Sequence, residues 1–238
     1  MCTVTYLPLD EGFILTSNRD ERLVRSQTEI PKRYDLSGQT IFFPKDKEST
    51  GTWIATSAQG LSLCLLNGAF EKHESKPPYR KSRGLVLLEF FKYRFADDFL
   101  ANFDLNGIEP FTLIIACEQT PTPYLYELRW DGENSHLKPL DPAEAHIWSS
   151  ATLYTKQVQE EREMWFKKWL QENSIFTQEA ILFFHHFAGR DDHQNALVMT
   201  RDNDRQTISI TSVLQSGASR KIVYEDLINQ KIHRTHVY

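Results

Sequence analysis

The sequence predicts an α+β fold. Alternation of apolar and polar residues, the two-residue period of a β-strand, predicts two hairpins within the first 70 residues. Two helical stretches, a group of strands, two more helices and closing strands follow, so helices and strands come in separate runs and not in β-α-β order. With 238 residues and 40% hydrophobic side chains, we expect a single domain, 1–238, with a substantial core.

The first predicted hairpin brings two charged residues next to the start of the chain. Residues 2–6 alternate as a strand, a turn containing Pro, Asp and Gly follows, and residues 13–17 are predicted as the returning strand. In an antiparallel hairpin the end of the second strand lies beside the start of the first. Arg19 and Asp20 are therefore expected close to Cys2.

Cys2 has the chemistry of a nucleophile. Removal of Met1 would leave a residue with a thiol and a free α-amine on one carbon, and the ordinary pKa of an α-amine is about 7.7–8.0. Such an amine can take the thiol proton near neutral pH, which is the N-terminal form of nucleophilic catalysis. The alternative is an ordinary second residue without a chemical role.

The opening Met-Cys-Thr and the Asn-Arg-Asp-Glu sequence at residues 18–21 resemble the NRDE protein family, also called the transport-and-Golgi-organisation family. They are also similar to the bile-salt hydrolase and penicillin V acylase branch of the N-terminal nucleophile (Ntn) hydrolases. The resemblance implies a four-layer αββα sandwich of two antiparallel sheets with helices outside. It implies Cys2 as the nucleophile, with Arg19 and Asp20 orienting and tuning it, while Glu21 is expected to pair with Arg19.

The next segment is predicted to carry an oxyanion donor. We predict a loop at 22–38, a short edge strand at 41–44, a charged loop at 45–50 and a second hairpin with strands at 52–56 and 61–66. The resemblance implies that Asn67 donates to the oxyanion, a task that suits a preorganised side-chain N–H group. Asn67-Gly68 is also a common turn sequence, which alone would explain both residues.

Three further residues are assigned to substrate binding, namely Asn18, Arg83 and Ser150. We predict a loop at 69–80, a helix from an N-cap at Ser82 to about Arg94, a short helix at 96–103, a buried strand at 111–117, a hairpin at 123–130 and 135–140, and a strand at 145–148. Arg83 at a helix N-terminus could bind an anionic group, or it could be ion-paired. Related families often carry Asn near position 150, so Ser150 departs from their pattern, and capping of the next helix by Ser149 or Ser150 would also explain it.

The last third of the sequence predicts helices and strands without a metal site. We predict a helix at 152–171 with residues 160–163 in solvent, a helix capped by Thr177 and ending at Phe187, a hairpin of 196–200 and 206–212 around a turn at 202–204, and two short strands after 221. Adjacent residues on a helix point about 100° apart, so His185 and His186 do not share a face. We expect no metal and no cofactor.

Composition excludes several classes of function. The net charge of −5 argues against a nucleic-acid partner. The chain contains no apolar run of about 20 residues and no signal peptide, so we expect a soluble cytoplasmic protein without a membrane span. Cys64 and Cys117 lie in apolar strands and are expected to be buried fillers. The oligomeric state stays open.

Three hypotheses follow. The first is an N-terminal-cysteine amidohydrolase that cleaves a linear acyl amide C–N bond. The second is a non-catalytic Ntn-fold binding or trafficking protein for a hydrophobic ligand of the haem or acyl-lipid type, which is also associated with the family that the sequence resembles. The third is a fold in which Cys2 is an inert thiol. A fast-reacting thiolate would separate the first from the others.

Overall fold

The computed structural model describes residues 3–25, 27–118, 122–201, 205–217 and 219–238, and these form two antiparallel sheets and four α-helices. In chain order the elements are β1 Thr3–Leu9, β2 Gly12–Arg22, a 3-10 turn Leu23–Arg25, β3 Thr28–Leu36, β4 Gln39–Asp46, β5 Ile54–Ser57, β6 Leu61–Asn67, α1 Arg83–Phe90, α2 Ala96–Asn102, β7 Phe111–Cys117, β8 Tyr124–Trp130, β9 Ser135–Leu140, β10 His146–Ser149, α3 Lys156–Glu172, α4 Gln178–Phe187, β11 Thr200–Arg201, β12 Arg205–Ser216, β13 Ser219–Asp226 and β14 Lys231–His236.

The two sheets are built from different parts of the chain. The first sheet has the order β10-β1-β2-β12-β13-β14, with β11 pairing with β12, and the second has the order β3-β4-β5-β6-β7-β8-β9. The N-terminal hairpin thus lies inside the first sheet, where β1 is flanked by β2 and β10. The second sheet is a meander in which each strand pairs with its neighbour in sequence.

Side chains divide the molecule into four layers. Alternate residues of β1, such as Val4 and Tyr6, face the second sheet and join the main core. Leu7 and Ile14, on the opposite face of the first sheet, pack with α3 and α4 through a separate apolar cluster that includes Phe166. Helices α1 and α2 cover the outer face of the second sheet and bury side chains against it. This arrangement confirms the predicted αββα sandwich.

Most strands of the sheets match the prediction. The first hairpin pairs Thr3 with Asn18 and Leu9 with Gly12, and β6, β7, the β8–β9 hairpin, β13 and β14 all lie where alternation placed them. Cys64 and Cys117 are buried in β6 and β7, as expected of fillers. The predicted turn at 202–204 lies outside the described residues.

Two predictions in the first quarter of the chain are wrong. The segment 22–38 is not a loop, because β3 occupies Thr28–Leu36 at the edge of the second sheet, with only one of its nine side chains buried. Because the other side chains are exposed or only partly buried, the strand shows no clear alternation, and Pro31 lies where its register shifts. Strand β4 is longer than predicted and is not an edge strand, since it pairs with both β3 and β5.

The helices also differ in their ends. Helix α1 stops at Phe90, four residues earlier than predicted. Helix α3 begins at Lys156 and its N-cap is Thr155, whose hydroxyl accepts from the Val158 amide. Capping therefore does not explain Ser149 or Ser150. In addition, Arg162 is fully buried and not in solvent as predicted. None of the helices within the described ranges is both long and apolar enough to span a bilayer.

A close backbone approach seats α1 on the second sheet. The amide of Thr52 donates to the carbonyl of Gly84 over 3.3 Å. A Cβ atom at Gly84 would lie 2.7 Å from the Thr52 oxygen, and one at Gly51 would lie 2.6 Å from the Gly84 carbonyl carbon. Only glycine fits this contact, which also fixes the position of Arg83.

Gly84→Ala should therefore destabilise the protein. Alanine in a helix is ordinarily more favourable than glycine by about 1 kcal/mol, but overpacking against a fixed backbone costs about 1–3 kcal/mol. We expect the free energy of unfolding, measured by urea denaturation, to fall by about 1–2 kcal/mol. A stabilised variant would contradict the close contact.

Candidate functional site

A polar pocket of about 340 Å3 lies at the end of β2 and β6, beside the N-terminus of α1. Three residues selected from the sequence line it together, namely Arg19, Asn67 and Arg83. The remaining lining residues are Glu21, Arg25, Asp46, Ser49, Thr52, Trp53, Leu65, Tyr79, Lys81, Ser82, Gly84 and Glu109. The pocket therefore brings together one residue predicted to tune Cys2, one predicted to donate to an oxyanion and one predicted to bind substrate.

Arg19 is buried and held on three sides. Its guanidinium forms an ion pair with Asp46 and donates to the Thr28 hydroxyl over 2.7 Å. It also lies over the Trp53 ring, 4.4 Å from the ring centroid. Burial lowers the pKa of Arg19, which the charge of Asp46 opposes, and arginine stays a cation under all ordinary conditions. Glu21 pairs with Arg25 at 3.7 Å, and not with Arg19 as predicted.

Asn67 lies at the end of β6 and is fixed through its backbone. The hydroxyl of Ser150 donates to the Asn67 carbonyl over 2.9 Å, and the hydroxyl of Thr152 donates to the same oxygen over 3.3 Å. Gly68, the next residue, has a φ of +82° and a Cβ there would meet Thr152. Ser150 is buried and does not line the pocket, so its contact with the site runs through Asn67.

Arg83 is ion-paired. The sequence had left two roles open for it, ion pairing and the binding of an anionic group. Arg83 lies 3.0 Å from Glu109 and donates to the Pro110 carbonyl over 3.1 Å. Glu109 also contacts His73 at 3.2 Å. Burial lowers the pKa of Arg83 and the charge of Glu109 raises it. Ser82 occupies the predicted N-cap position, but its hydroxyl forms no capping hydrogen bond.

Charges in the pocket nearly balance. Its lining includes four cations and three carboxylates, and each cation has a carboxylate partner. The pairs are Arg19–Asp46, Arg25 with Asp46, Glu21 and Glu48, Lys81–Glu89 at 2.7 Å and Arg83–Glu109. The pocket is consequently polar without a strong positive potential.

Asp20 lies on the opposite face of β2 from Arg19, as alternation along a strand requires. It is 3% exposed. Its carboxylate accepts hydrogen bonds from the Tyr154 hydroxyl over 2.5 Å and from the Thr207 hydroxyl. The structure therefore brings Arg19 and Asp20 to one end of the hairpin, but on its two sides.

Asn18 also faces the helices and does not line the pocket. Its side-chain amide donates to the Leu197 carbonyl over 2.7 Å, which turns its oxygen toward Nδ1 of His185. The other ring nitrogen of His185 lies 2.7 Å from the Thr5 hydroxyl. Asn18 thus belongs to a buried network of hydrogen bonds that joins β1, β2 and α4.

Cys2 lies outside the described residues. Its neighbour Thr3 pairs with Asn18 on β2 and with Ser149 on β10, so the start of β1 lies at the same end of the sheet as Arg19 and Asp20. Within the described part of the chain, no group of three or more His, Cys, Asp or Glu side chains is placed to hold a metal ion.

Sequence reasoning missed Tyr154, Arg162 and Trp53. Tyr154 contacts Asp20, Arg162 contacts Thr3, and Trp53 supports Arg19. Arg162 stands among glutamates in a segment predicted to be in solvent, and no local signal marks it as buried. Trp53 lies within the predicted strand 52–56, where a large apolar side chain indicates only a core position.

Comparison with known proteins assigns the fold and the family. The sequence matches the family described as Transport and Golgi organisation 2 over residues 1–223, whereas no curated protein matches it by sequence. Two variants of conjugated bile acid hydrolase from Clostridium perfringens superimpose with TM-scores of 0.58 and 0.57 at 11% and 10% identity, each covering 99% of this chain and 92% of theirs. The Caenorhabditis elegans N-acylethanolamine-hydrolyzing acid amidase ortholog gives a TM-score of 0.51 at 13% identity, covering 89% of this chain and 92% of its own. At these identities the likeness is one of fold.

His185 should make stability depend on pH. Burial, with smaller effects of His186 and Arg162, lowers the pKa of His185 from 6.5 to about 3. Below pH 6.5, His185 therefore binds a proton in the unfolded chain but stays neutral in the folded protein. The free energy of unfolding consequently falls as the pH falls. This one group should cost about 2 kcal/mol between pH 6.5 and 5.

The measurement is urea unfolding of the wild type and His185→Gln across that range. We expect the variant to be less stable at pH 7.5 and to show a smaller loss on acidification. His193→Gln, at an exposed position, is the matched control. Equal acid sensitivity of His185→Gln and the wild type would rule out a buried neutral His185.

Proposed function

Because this chain belongs to the Transport and Golgi organisation 2 family and has the fold of the Ntn hydrolases, we propose that it hydrolyses the C–N bond of a linear acyl amide, with Cys2 as the nucleophile. One observation carries the proposal: Arg19 and Asn67 line one polar pocket at the end of the hairpin whose first strand begins at Thr3, the residue after Cys2 in the sequence. Their chemistry matches a charged anchor and an oxyanion donor.

The reaction has two stages. After Met1 is removed, the α-amine of Cys2 takes the thiol proton and the sulfur attacks the amide carbonyl carbon. The C–N bond breaks, the leaving amine takes the proton from the α-ammonium group, and a thioester remains. Water then attacks the thioester with the α-amine as base, the free acid departs, and the thiol is restored.

Each remaining residue has a part in this scheme. Asn67 donates its side-chain amide to the oxyanion, and Ser150 holds the Asn67 carbonyl so that this amide keeps its direction. Arg83, paired with Glu109, contacts the polar part of the substrate in the pocket. Asp20 holds the α-amine of Cys2, and Asn18 fixes the hairpin against α4.

The lining of the pocket favours a hydrolase over a carrier of haem or acyl lipid. Most of its side chains are charged or polar, and Leu65 and Trp53 are its main apolar contributors. A carrier of a hydrophobic ligand buries most of that ligand against apolar side chains. The site instead presents hydrogen-bonding groups to a reacting centre.

The first test is the state of Cys2. Intact-protein mass spectrometry before and after brief treatment with iodoacetamide near pH 7 should show a chain without Met1 that gains one adduct rapidly. Cys64 and Cys117 are buried, and burial raises the pKa of Cys64 to about 12, so the adduct should be absent from Cys2→Ala. A retained Met1 with no fast adduct would remove the nucleophile and its base together.

The second test is the oxyanion donor. With a panel of N-acyl p-nitroanilides of different acyl length as probes, Asn67→Ala should lower kcat by about 10²–10³-fold, the effect of losing one such donor. Asn134→Ala, at an exposed turn position, is the control and should keep wild-type rates. An active Asn67→Ala enzyme with unchanged kcat would exclude Asn67 from this role.

A further inference from the structure

A buried chain of contacts leads from α3 to Asp20. The Tyr154 hydroxyl donates to one oxygen of the Asp20 carboxylate over 2.5 Å, and the Thr207 hydroxyl donates to the other. Tyr154 is 3% exposed and precedes the N-cap of α3. Because each carboxylate oxygen has its own donor, rotation of the Asp20 side chain would break at least one of these hydrogen bonds.

The guanidinium of Arg162 packs against the face of the Tyr154 ring. It lies 3.6 Å from the centroid of the Tyr154 ring, close enough for a cation–π interaction between two buried side chains. Arg162 is fully buried, and within the described part of the chain it forms no ion pair. Its N–H groups donate instead to the carbonyls of Asn195 and Ala196 over 2.8–3.1 Å.

The same guanidinium reaches the strand that begins beside the nucleophile. It donates to the Thr3 hydroxyl over 2.5 Å. Arg162 therefore contacts both Thr3, which follows Cys2 in sequence, and Tyr154, which holds Asp20. A buried cation without a carboxylate partner among the described residues is costly to keep.

We infer that Tyr154 is a positioning residue for the Cys2 chemistry: its hydroxyl fixes the Asp20 carboxylate, and Arg162 fixes the Tyr154 ring and Thr3 in one frame. This inference rests on the proposed function, in which Asp20 holds the α-amine of Cys2. Arg201 of β11 also lies next to the ring, with its guanidinium 5.1 Å from the ring centroid. Both cations lie next to the Tyr154 ring, and the hydroxyl of that ring contacts Asp20.

The experiment measures the rate of Cys2 carboxamidomethylation from pH 5 to 9, quantified on the N-terminal peptide by mass spectrometry. The variants are Tyr154→Phe, which removes the hydroxyl and keeps the ring for Arg162, and Asp20→Asn. Tyr6→Phe is the matched control, since Tyr6 is a buried tyrosine whose hydroxyl donates to a distant backbone carbonyl, that of Pro142, over 2.9 Å.

The midpoint of the pH profile should shift in Tyr154→Phe by about one pH unit, the effect expected for one hydrogen bond to a charged group. The shift should have the same direction as in Asp20→Asn, and Tyr6→Phe should follow the wild type. A Tyr154→Phe profile that overlays the wild type while Asp20→Asn shifts would overturn the inference and leave the proposed function standing.

Two further results are decisive. If wild-type Cys2 reacts no faster than a free cysteine and Asp20→Asn leaves it unchanged, the proposed function fails and the positioning role fails with it. If Tyr154→Phe does not give a folded circular dichroism spectrum, Thr207→Val removes the donor on the other carboxylate oxygen. A shift of the Thr207→Val midpoint in the same direction as in Asp20→Asn supports the role of these hydrogen bonds in positioning Asp20. A Thr207→Val profile that overlays the wild type overturns it.

Discussion

The buried ion pair between Arg19 and Asp46 joins the two sheets at the end where the pocket lies. Arg19 belongs to β2 of the first sheet, and Asp46 is the last residue of β4 in the second sheet. Removing one partner of such a pair leaves an uncompensated buried charge and costs about 3–5 kcal/mol. The second oxygen of Asp46 accepts the amides of Glu48 and Ser49, so the pair also shapes the loop that borders the pocket.

The end of β2 contributes side chains to both faces of the first sheet, because neighbouring side chains on a strand point in opposite directions. Arg19 points toward the pocket between the sheets, where it rests on Trp53. Asn18 and Asp20 point toward the helices, where His185, Tyr154 and Thr207 bind them. A short motif can thus connect a pocket on one face with a buried hydrogen-bonded network on the other, without any loop between them.

The sequence predicted those parts of the fold and the site that local patterns encode. Strong alternation located the first hairpin and β6, and the same hairpin geometry placed Arg19 and Asp20 at the start of β1. Strand β3 was missed because only one of its side chains is buried. Its sequence therefore lacks a clear alternation of apolar and polar residues. Arg162 and Tyr154 were missed because their burial depends on packing between α3 and distant strands, which no local spacing records. Ser150 was noticed, but its contact with the Asn67 carbonyl depends on β10 crossing to the first sheet beside β1.

The pairing of β2 with β12 has a consequence for how the protein is made. Thr207 lies 187 residues after Asp20, and β12 is the inner neighbour of β2 in the first sheet. On the ribosome the N-terminal hairpin is synthesised first, and the β2 edge has no β12 partner until β12 has left the exit tunnel. Such distant pairings slow folding and expose strand edges to aggregation. The surroundings of Asp20 are therefore completed only after β12 has been synthesised.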